Sequence, residues 1–157
     1  MIIIKYLVYS FTIAIFSWIV GMMLNGVLRK KAYYNKLSNL NLIKDEALNK
    51  KIGLGFFKWM VKNTFFKYFN QNLQLKNKID AATLKQLRTE MTFSEISHLI
   101  GFGFMVLVAL IAFIYGNYSF GLIILMVNIW MNLYPSLLQQ ENKKRIDRLI
   151  ISYNPAR

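Results

Sequence analysis

Three long apolar runs dominate the chain and predict three membrane-spanning helices. The first covers residues 6–28 and contains no charged side chain. The second covers about 95–115 and the third 118–138, and only Gly116 and Asn117 separate them. A bilayer core requires about 20 apolar residues in a helix, and Gly-Asn is a turn signal. The pattern therefore predicts an all-α membrane protein with about three spans, the last two forming a tight antiparallel hairpin.

The first apolar run also admits a second interpretation, a cleaved signal peptide. Lys5 would be its basic start, and the cleavage site would lie near Asn25 and Gly26. However, the run is longer than a usual signal-peptide core, and no Ala-x-Ala pattern follows it. We therefore favour a retained first helix.

The distribution of charge predicts the orientation of the spans. The chain holds 20 Lys and Arg against 7 Asp and Glu, a formal net charge of +13. Residues 29–90 contain 14 of these cations and residues 141–157 contain five. Because basic segments stay on the cytoplasmic side, we expect the amino terminus and the turn at 116–117 to lie outside. The expectation is a multi-pass protein of a bacterial inner (cytoplasmic) membrane.

Residues 1–157 are expected to form one membrane domain, with a cytoplasmic or interfacial segment over 29–92 and a basic tail over 139–157. Within it, residues 52–70 interleave lysines with seven aromatic residues. Rings and ammonium groups suit the headgroup plane of an anionic membrane. The alternative is a buried helix of a small cytoplasmic domain. Because the membrane accounts for both features, we expect anionic lipid as a partner and no nucleic acid.

The chain contains no cysteine and a single histidine, His98. Disulfides, thiol nucleophiles and any site that needs two imidazoles from one chain are therefore excluded. Glu95-x-x-His98 is one half of a di-iron bundle motif, and the other half is absent. We expect no metal and no tightly bound cofactor.

Three ionisable residues lie near the cytoplasmic start of the second span. Glu95 lies three residues before His98, and Glu90 lies eight before it, so all share one face of a continuous helix. Ionisable groups at membrane depth are costly and are candidates for function. For Glu95 a structural role stays open, because Thr92 and Glu95 fit a capping box at a helix start. Asp80 is the predicted N-cap of a separate helix before it.

The third span carries a polar stripe. Its amide side chains fall within an arc of about 80° on a helical projection, and they should face protein or a wet cavity. Pro135 lies on the same side and leaves the carbonyl of Met131 without its helical partner. Contacts between helices are the alternative explanation of such amides. The stripe consists of Asn128, Asn132, Gln139 and Asn142.

The predicted hairpin brings these polar groups together. His98 then faces the region of Pro135, Glu95 approaches Gln139, and Glu90 approaches the cations at 143 and 144. Apolar helices flank them. Such a composition suits an amphiphilic, lipid-like substrate with a polar reacting end.

At these residues the chain resembles a known family, the glycosyl-4,4′-diaponeurosporenoate acyltransferases. The resemblance covers roughly residues 55–150 and includes Phe57-Lys58-Trp59. It implies transfer of a fatty acyl group to the sugar of a glycosylated carotenoid in staphyloxanthin-type pigments. After Gln139 the family tends to have Arg-Tyr-Asn-Arg, where this chain has Gln140-Glu141-Asn142-Lys143, which leaves the acceptor open. The matching motifs are Glu90-x4-Glu95-x2-His98 and Asn132-Leu133-Tyr134-Pro135-x3-Gln139-x2-Asn142-x2-Arg145.

These residues predict an O-acyltransferase. His98 would be the base, Glu95 or Glu90 would hold its tautomer, and Asn132 or Gln139 would stabilise the oxyanion. The acyl donor would be acyl-CoA or an acyl carrier protein. The alternative is a non-enzymatic membrane subunit or assembly factor, with a partner subunit or a second copy of the chain. The predicted substrate-binding residues are Asn128, Asn132, Tyr134, Gln139 and Asn142, with Lys143, Lys144 and Arg145 for the donor phosphates.

Overall fold

The computed structural model describes residues 1–40, 51–64 and 80–153, and within them every regular element is a helix. Three stretches are long and apolar enough to cross a membrane: Ile2–Leu28, Ala81–Ile114 and Tyr118–Ser152. The predicted all-α membrane fold with three spans is confirmed. The helices are α1 (Ile2–Leu28), α2 (Tyr34–Leu37), α3 (Leu54–Asn63), α4 (Ala81–Ile114), α5 (Tyr118–Asn128) and α6 (Tyr134–Tyr153), with a π-helical segment, Ile129–Leu133, between the last two.

Helix α4 joins two stretches that the sequence pattern divides. Asp80 caps it, because its Oδ1 accepts the Thr83 backbone N–H at 2.8 Å. Hydrogen bonds from the Thr83 side chain and backbone hold the pKa of the Asp80 carboxyl below its usual range. Thr92 lies inside the helix and its hydroxyl donates to the Arg88 carbonyl at 2.9 Å. The predicted capping box at Thr92 is therefore wrong, since the N–H groups it would cap are already bonded within the helix.

The third run also continues further than predicted, since α6 carries the helix through most of the basic tail to Tyr153. The π-helical segment ends at Leu133, two residues before Pro135, the residue that breaks the hydrogen-bond pattern. The carbonyl of Met131, whose i+4 residue is Pro135 and has no N–H, accepts the indole N–H of Trp18 from α1 at 3.1 Å. Trp18 of the first span thus donates a hydrogen bond to the carbonyl that cannot receive one from Pro135 in the third span.

Helices α1, α4 and α5 pack around an apolar core in which Ala14, Met105 and Ile124 are fully buried. The turn between α4 and α5 uses Gly116 at a positive φ of 75°, a conformation that favours glycine. Helix α4 runs antiparallel to the third run, because Arg88 pairs with Asp147 whereas Met105 packs near Ile124.

The buried face of α1 is a stripe of small and polar residues spaced three or four apart, which places them on one side of the helix. Small residues let the backbones of membrane helices approach closely. The stripe consists of Ser10, Ala14, Ser17, Gly21 and Asn25.

Helices α1 and α4 approach closely at Gly21, and this contact supports a paired test. A Cβ atom at Gly21 would lie 2.2 Å from the Ser97 carbonyl oxygen, whereas one at Gly26 would meet nothing within 4 Å. We expect Gly21→Ala to destabilise the protein by about 1–3 kcal/mol through overpacking. Gly26→Ala should be neutral or slightly stabilising, because alanine favours helix. Thermal unfolding in detergent measures both, and equal melting temperatures would refute the close approach.

Helix α3 packs against α6 and presents its other side outward. Its buried face includes Phe57 and Val61, which pack with Leu137. On the opposite face Phe56 and Trp59 are 61% and 59% exposed and stack with ring centroids 6.0 Å apart. The described part of the aromatic segment thus combines a face buried in protein with a face free to meet lipid. Residues 65–70 of the predicted interfacial segment lie outside the described residues.

Candidate functional site

Polar side chains of α4 meet the third run in two adjacent clusters. The histidine cluster comprises His98, Asn132, Asn128, Ser17 and Trp18. The carboxylate cluster lies nearer the amino-terminal end of α4 and comprises Glu95, Gln140 and Lys143. Residues from all three spans form the histidine cluster, whereas the carboxylate cluster joins α4 to α6.

In the histidine cluster, the imidazole of His98 is held between two other helices. Its Nδ1 lies 3.5 Å from Oδ1 of Asn132 on the π-helical segment. The indole of Trp18 on α1 meets the ring edge-on, with centroids 5.9 Å apart and an interplanar angle of 88°. His98 as a whole residue is half-buried.

The amides of this cluster form a continuous hydrogen-bond network. The Asn132 amide group donates to Asn128 Oδ1 at 2.9 Å and to Ser17 Oγ at 3.2 Å, and it also contacts Met105 Sδ at 3.2 Å. Asn128 in turn donates to the Phe102 carbonyl at 3.0 Å. Asn128 and Asn132 are fully buried. This part of the polar stripe therefore faces protein, as amides in a bilayer should.

In the carboxylate cluster, Glu95 is fully buried and both of its oxygens have partners. Gln140 donates to Oε1 at 2.8 Å, and the Lys143 ammonium forms an ion pair with Oε2. Lys143 also donates to the Ser38 carbonyl at 2.9 Å. A buried ion pair tolerates its desolvation only when further hydrogen bonds satisfy the charges, as they do here. Glu95 is thus committed to Lys143 and Gln140.

Tyr34 of α2 lies beside this cluster, outside the spans, and its side chain is buried. Burial raises the pKa of the Tyr34 phenol, and the neighbouring Asn25 and Arg29 partly oppose the rise. The hydroxyl therefore stays protonated at neutral pH.

The inward face of α6 is displaced by one residue from the predicted one. Ser136, Gln140 and Lys143 are 0%, 4% and 4% exposed, whereas Gln139 and Asn142 are half-buried. A π-helical turn holds one more residue than an α-helical turn, so every later residue rotates back by one position. The pattern therefore predicts Gln139 where the structure places Gln140. The proline at 135 is the sequence signal for such an irregular turn.

Glu90 does not join either cluster. It is exposed and accepts a hydrogen bond from Gln86 at 3.1 Å. With Arg29, Thr89 and Phe93 it lines a cleft of about 280 Å³ between the end of α1 and α4. The predicted approach of Glu90 to the cations of α6 is therefore not what the structure shows, because Glu90 lies on the side of α4 that faces α1.

The remaining predicted residues lie apart from His98. Tyr134 packs on Phe57 with ring centroids 5.2 Å apart, and its hydroxyl donates to the Ile52 carbonyl, so it anchors α3. The Gln139 side-chain oxygen is buried without a hydrogen-bond partner. Asn142 and Lys144 are half-buried, and Arg145 is exposed on α6.

Residues 30–152 match the family model described as glycosyl-4,4′-diaponeurosporenoate acyltransferase. The chain belongs to this family. No match was found among curated proteins or among solved structures. The match contains α4, α5 and α6, and with them His98, Asn132 and the whole carboxylate cluster. The predicted family is thus confirmed, and together with the three spans it makes the chain a membrane protein.

Membership of the glycosyl-4,4′-diaponeurosporenoate acyltransferase family directs attention to the histidine cluster. Acyl transfer to a hydroxyl needs a proton acceptor, and the imidazole of His98 is suited to that task. The carboxylate cluster is neutralised internally and binds two helices together. Ser17 and Trp18 of α1 lie outside the matched residues, and yet both belong to the histidine cluster.

Proposed function

We propose that the chain is a membrane O-acyltransferase. It moves a fatty acyl group from a thioester, on CoA or an acyl carrier protein, to a hydroxyl of a lipid-linked or glycosylated isoprenoid-type acceptor. The family match supports the reaction class. The observation that carries the site is the contact between His98 and Asn132 within the three-helix bundle.

The proposed reaction needs one base and no acyl-enzyme intermediate. His98 takes the proton of the acceptor hydroxyl while that oxygen bonds to the thioester carbonyl carbon. The tetrahedral intermediate then collapses, the carbon–sulfur bond breaks, and the leaving thiolate receives the proton from the imidazolium. The products are an ester and a free thiol, and His98 returns to its neutral form.

The contacts support a change in the predicted roles of Asn132 and Glu95. The Asn132 oxygen faces the imidazole and its amide hydrogens are engaged by Asn128 and Ser17. We therefore assign Asn132 to orienting the base rather than to the oxyanion. Glu95, which pairs with Lys143, holds α4 against α6.

Among the predicted phosphate-binding cations, Arg145 is the one whose position best fits a donor. It is exposed on α6, beyond the clusters toward the carboxyl-terminal end of the helix. Lys143 is committed to Glu95 and to the Ser38 carbonyl. An acyl donor would approach from the cytoplasm, and its phosphates would meet Arg145 before its thioester reaches His98.

The proposed location is the inner membrane of a bacterium, with α3 in the cytoplasmic headgroup layer and anionic lipid as its partner. The chain has no cysteine, so single cysteines can carry spin labels. A label at Trp59 should be shielded from a water-soluble relaxation agent because the ring face meets lipid. A label at exposed Lys36 should be fully accessible. Shielding should increase with anionic lipid, which attracts the lysines of α3, and equal accessibility of both labels would contradict the placement.

The reaction itself is tested with the purified chain in lipid nanodiscs. Labelled acyl-CoA and acyl carrier protein would each be offered with a glycosylated carotenoid, another glycosylated isoprenoid and a glycosylated diacylglycerol. We expect ester formation with equal release of thiol for at least one glycosylated isoprenoid. Folded protein that forms no ester with any pair would refute the proposal and favour the alternative of a non-enzymatic membrane subunit.

A further inference from the structure

We propose that the backbone carbonyl of Phe102 sets the tautomer of His98 through two amides, Asn128 and Asn132. Three hydrogen bonds connect the carbonyl to the imidazole, and each can run in only one direction. Ser17 of α1 supports the same direction independently. The catalytic use of this arrangement rests on the proposed function, but the tautomer itself does not.

The direction of these hydrogen bonds is fixed first at the Phe102 carbonyl oxygen, which can only accept. Phe102 O lies 3.0 Å from the Asn128 amide group, and a carbonyl oxygen has no hydrogen to give. Asn128 must therefore turn its NH₂ group toward Phe102. Its own oxygen then points to the other side, where the Asn132 amide group lies 2.9 Å away.

The second amide, Asn132, is oriented by two oxygen acceptors. The Asn128 oxygen accepts only, so Asn132 must present its NH₂ group to it. Ser17 gives its hydroxyl hydrogen to the Ala14 carbonyl at 2.7 Å. Its oxygen is therefore an acceptor for the same NH₂ group at 3.2 Å. Turning Asn132 around would set oxygen against oxygen at both contacts.

The Asn132 oxygen consequently faces Nδ1 of His98 at 3.5 Å. An amide oxygen only accepts, so the ring nitrogen that faces it carries the proton. Nε2 then keeps its lone pair, which a general base requires. Asn128, Asn132 and Ser17 are fully buried, and leaving any of their groups unpaired would be costly in a low-dielectric interior. The three are positioning residues, and Ser17 extends the site to a helix outside the matched residues 30–152.

The experiment uses the single histidine. In full-length protein labelled with ¹⁵N-histidine and held in nanodiscs, every imidazole signal comes from His98. At a pH where the ring is neutral, we expect the Nδ1–H form to dominate. An unconstrained imidazole side chain in water favours the opposite tautomer. A wild-type spectrum with Nε2–H dominant would overturn the proposal.

Two variants and a matched control test the chain of hydrogen bonds. Asn132→Leu removes the acceptor and should return His98 to mainly the Nε2–H form. Ser17→Ala removes one of the two oxygen acceptors for the Asn132 amide group and should shift the tautomer ratio partway. Ser10→Ala is the control, because Ser10 is a buried serine of the same α1 face whose hydroxyl has no partner, and its tautomer ratio should equal that of the wild type.

The outcomes separate this inference from the proposed function. The proposed series of hydrogen bonds from Phe102 to His98 would be refuted by an unchanged His98 tautomer in Asn132→Leu. Equal effects of Ser17→Ala and Ser10→Ala on the tautomer ratio would also refute it. If Asn132→Leu does not fold, the wild-type spectrum and the comparison of Ser17→Ala with Ser10→Ala still test the proposal. If the tautomers are as expected but no acyl transfer occurs, the hydrogen-bond series is supported and the proposed acyltransferase function is refuted. With transfer present, Ser17→Ala should lower kcat with KM unchanged, since it disturbs the base and not substrate binding.

Discussion

Replacement of His98 by glutamine is expected to lower acyl transfer by at least about 10²-fold, the range that a general base contributes. Glutamine can still donate to the Asn132 oxygen, so the contact that packs α4 against the π-helical segment is kept. It cannot accept a proton at neutral pH. The loss should therefore fall on kcat, with little change in KM or in the melting temperature.

The measurement is ester formation by the protein in nanodiscs, with Leu107→Ala as the control. Leu107 lies on α4 and is exposed on its outer side, so its truncation should leave the rate unchanged. In His98→Ala, added imidazole should restore part of the activity by occupying the space of the missing ring. For the wild type, the rate should rise with pH until the imidazole is neutral. Turnover near that of the wild type in His98→Gln would remove the proposed base.

The spans were open to prediction because their physical requirement is simple. A helix that crosses a bilayer needs a long uncharged run, and each of the three runs is unmistakable in the sequence. The contact of His98 with the third run also follows from the pattern, since a turn as short as Gly116-Asn117 leaves few alternative pairings. What the runs do not reveal is where each helix really begins. The predicted start near residue 95 reflects hydropathy, whereas the hydrogen-bonded helix begins at Ala81.

The details of the site could not be predicted from the sequence, for two physical reasons. A helical projection assumes one turn angle throughout, and the π-helical segment breaks that assumption, so Gln139 and Asn142 are predicted where Gln140 and Lys143 face α4. The contribution of α1 is hidden because its inward face consists of small residues within an apolar run. Ser17 and Trp18 give no signal in the sequence until the third helix lies beside them and its Met131 carbonyl accepts the indole N–H of Trp18.

The ion pair of Glu95 and Lys143 carries the second large prediction. Lys143→Met should destabilise the protein by about 3–5 kcal/mol, because it leaves a carboxylate buried without its counter-charge. The double variant Glu95→Gln with Lys143→Met should recover most of this loss, since no unpaired charge remains and Gln140 still finds an amide oxygen at position 95. Thermal unfolding in detergent, compared for the single and double variants, gives the coupling between the two residues.

A partly exposed ion pair of the same two helices provides the control. Arg88 Nε and Asp147 Oδ1 lie 2.5 Å apart, and the two side chains are 25% and 43% exposed. Solvent screens such a pair, so Asp147→Asn should cost no more than about 1 kcal/mol. If Lys143→Met were as mild as Asp147→Asn, the Glu95 carboxylate would have to reach water, and the buried pair would not hold α4 to α6. If the double variant were stable but inactive with His98 intact, Glu95 or Lys143 would act in the reaction and not only in the packing of the helices.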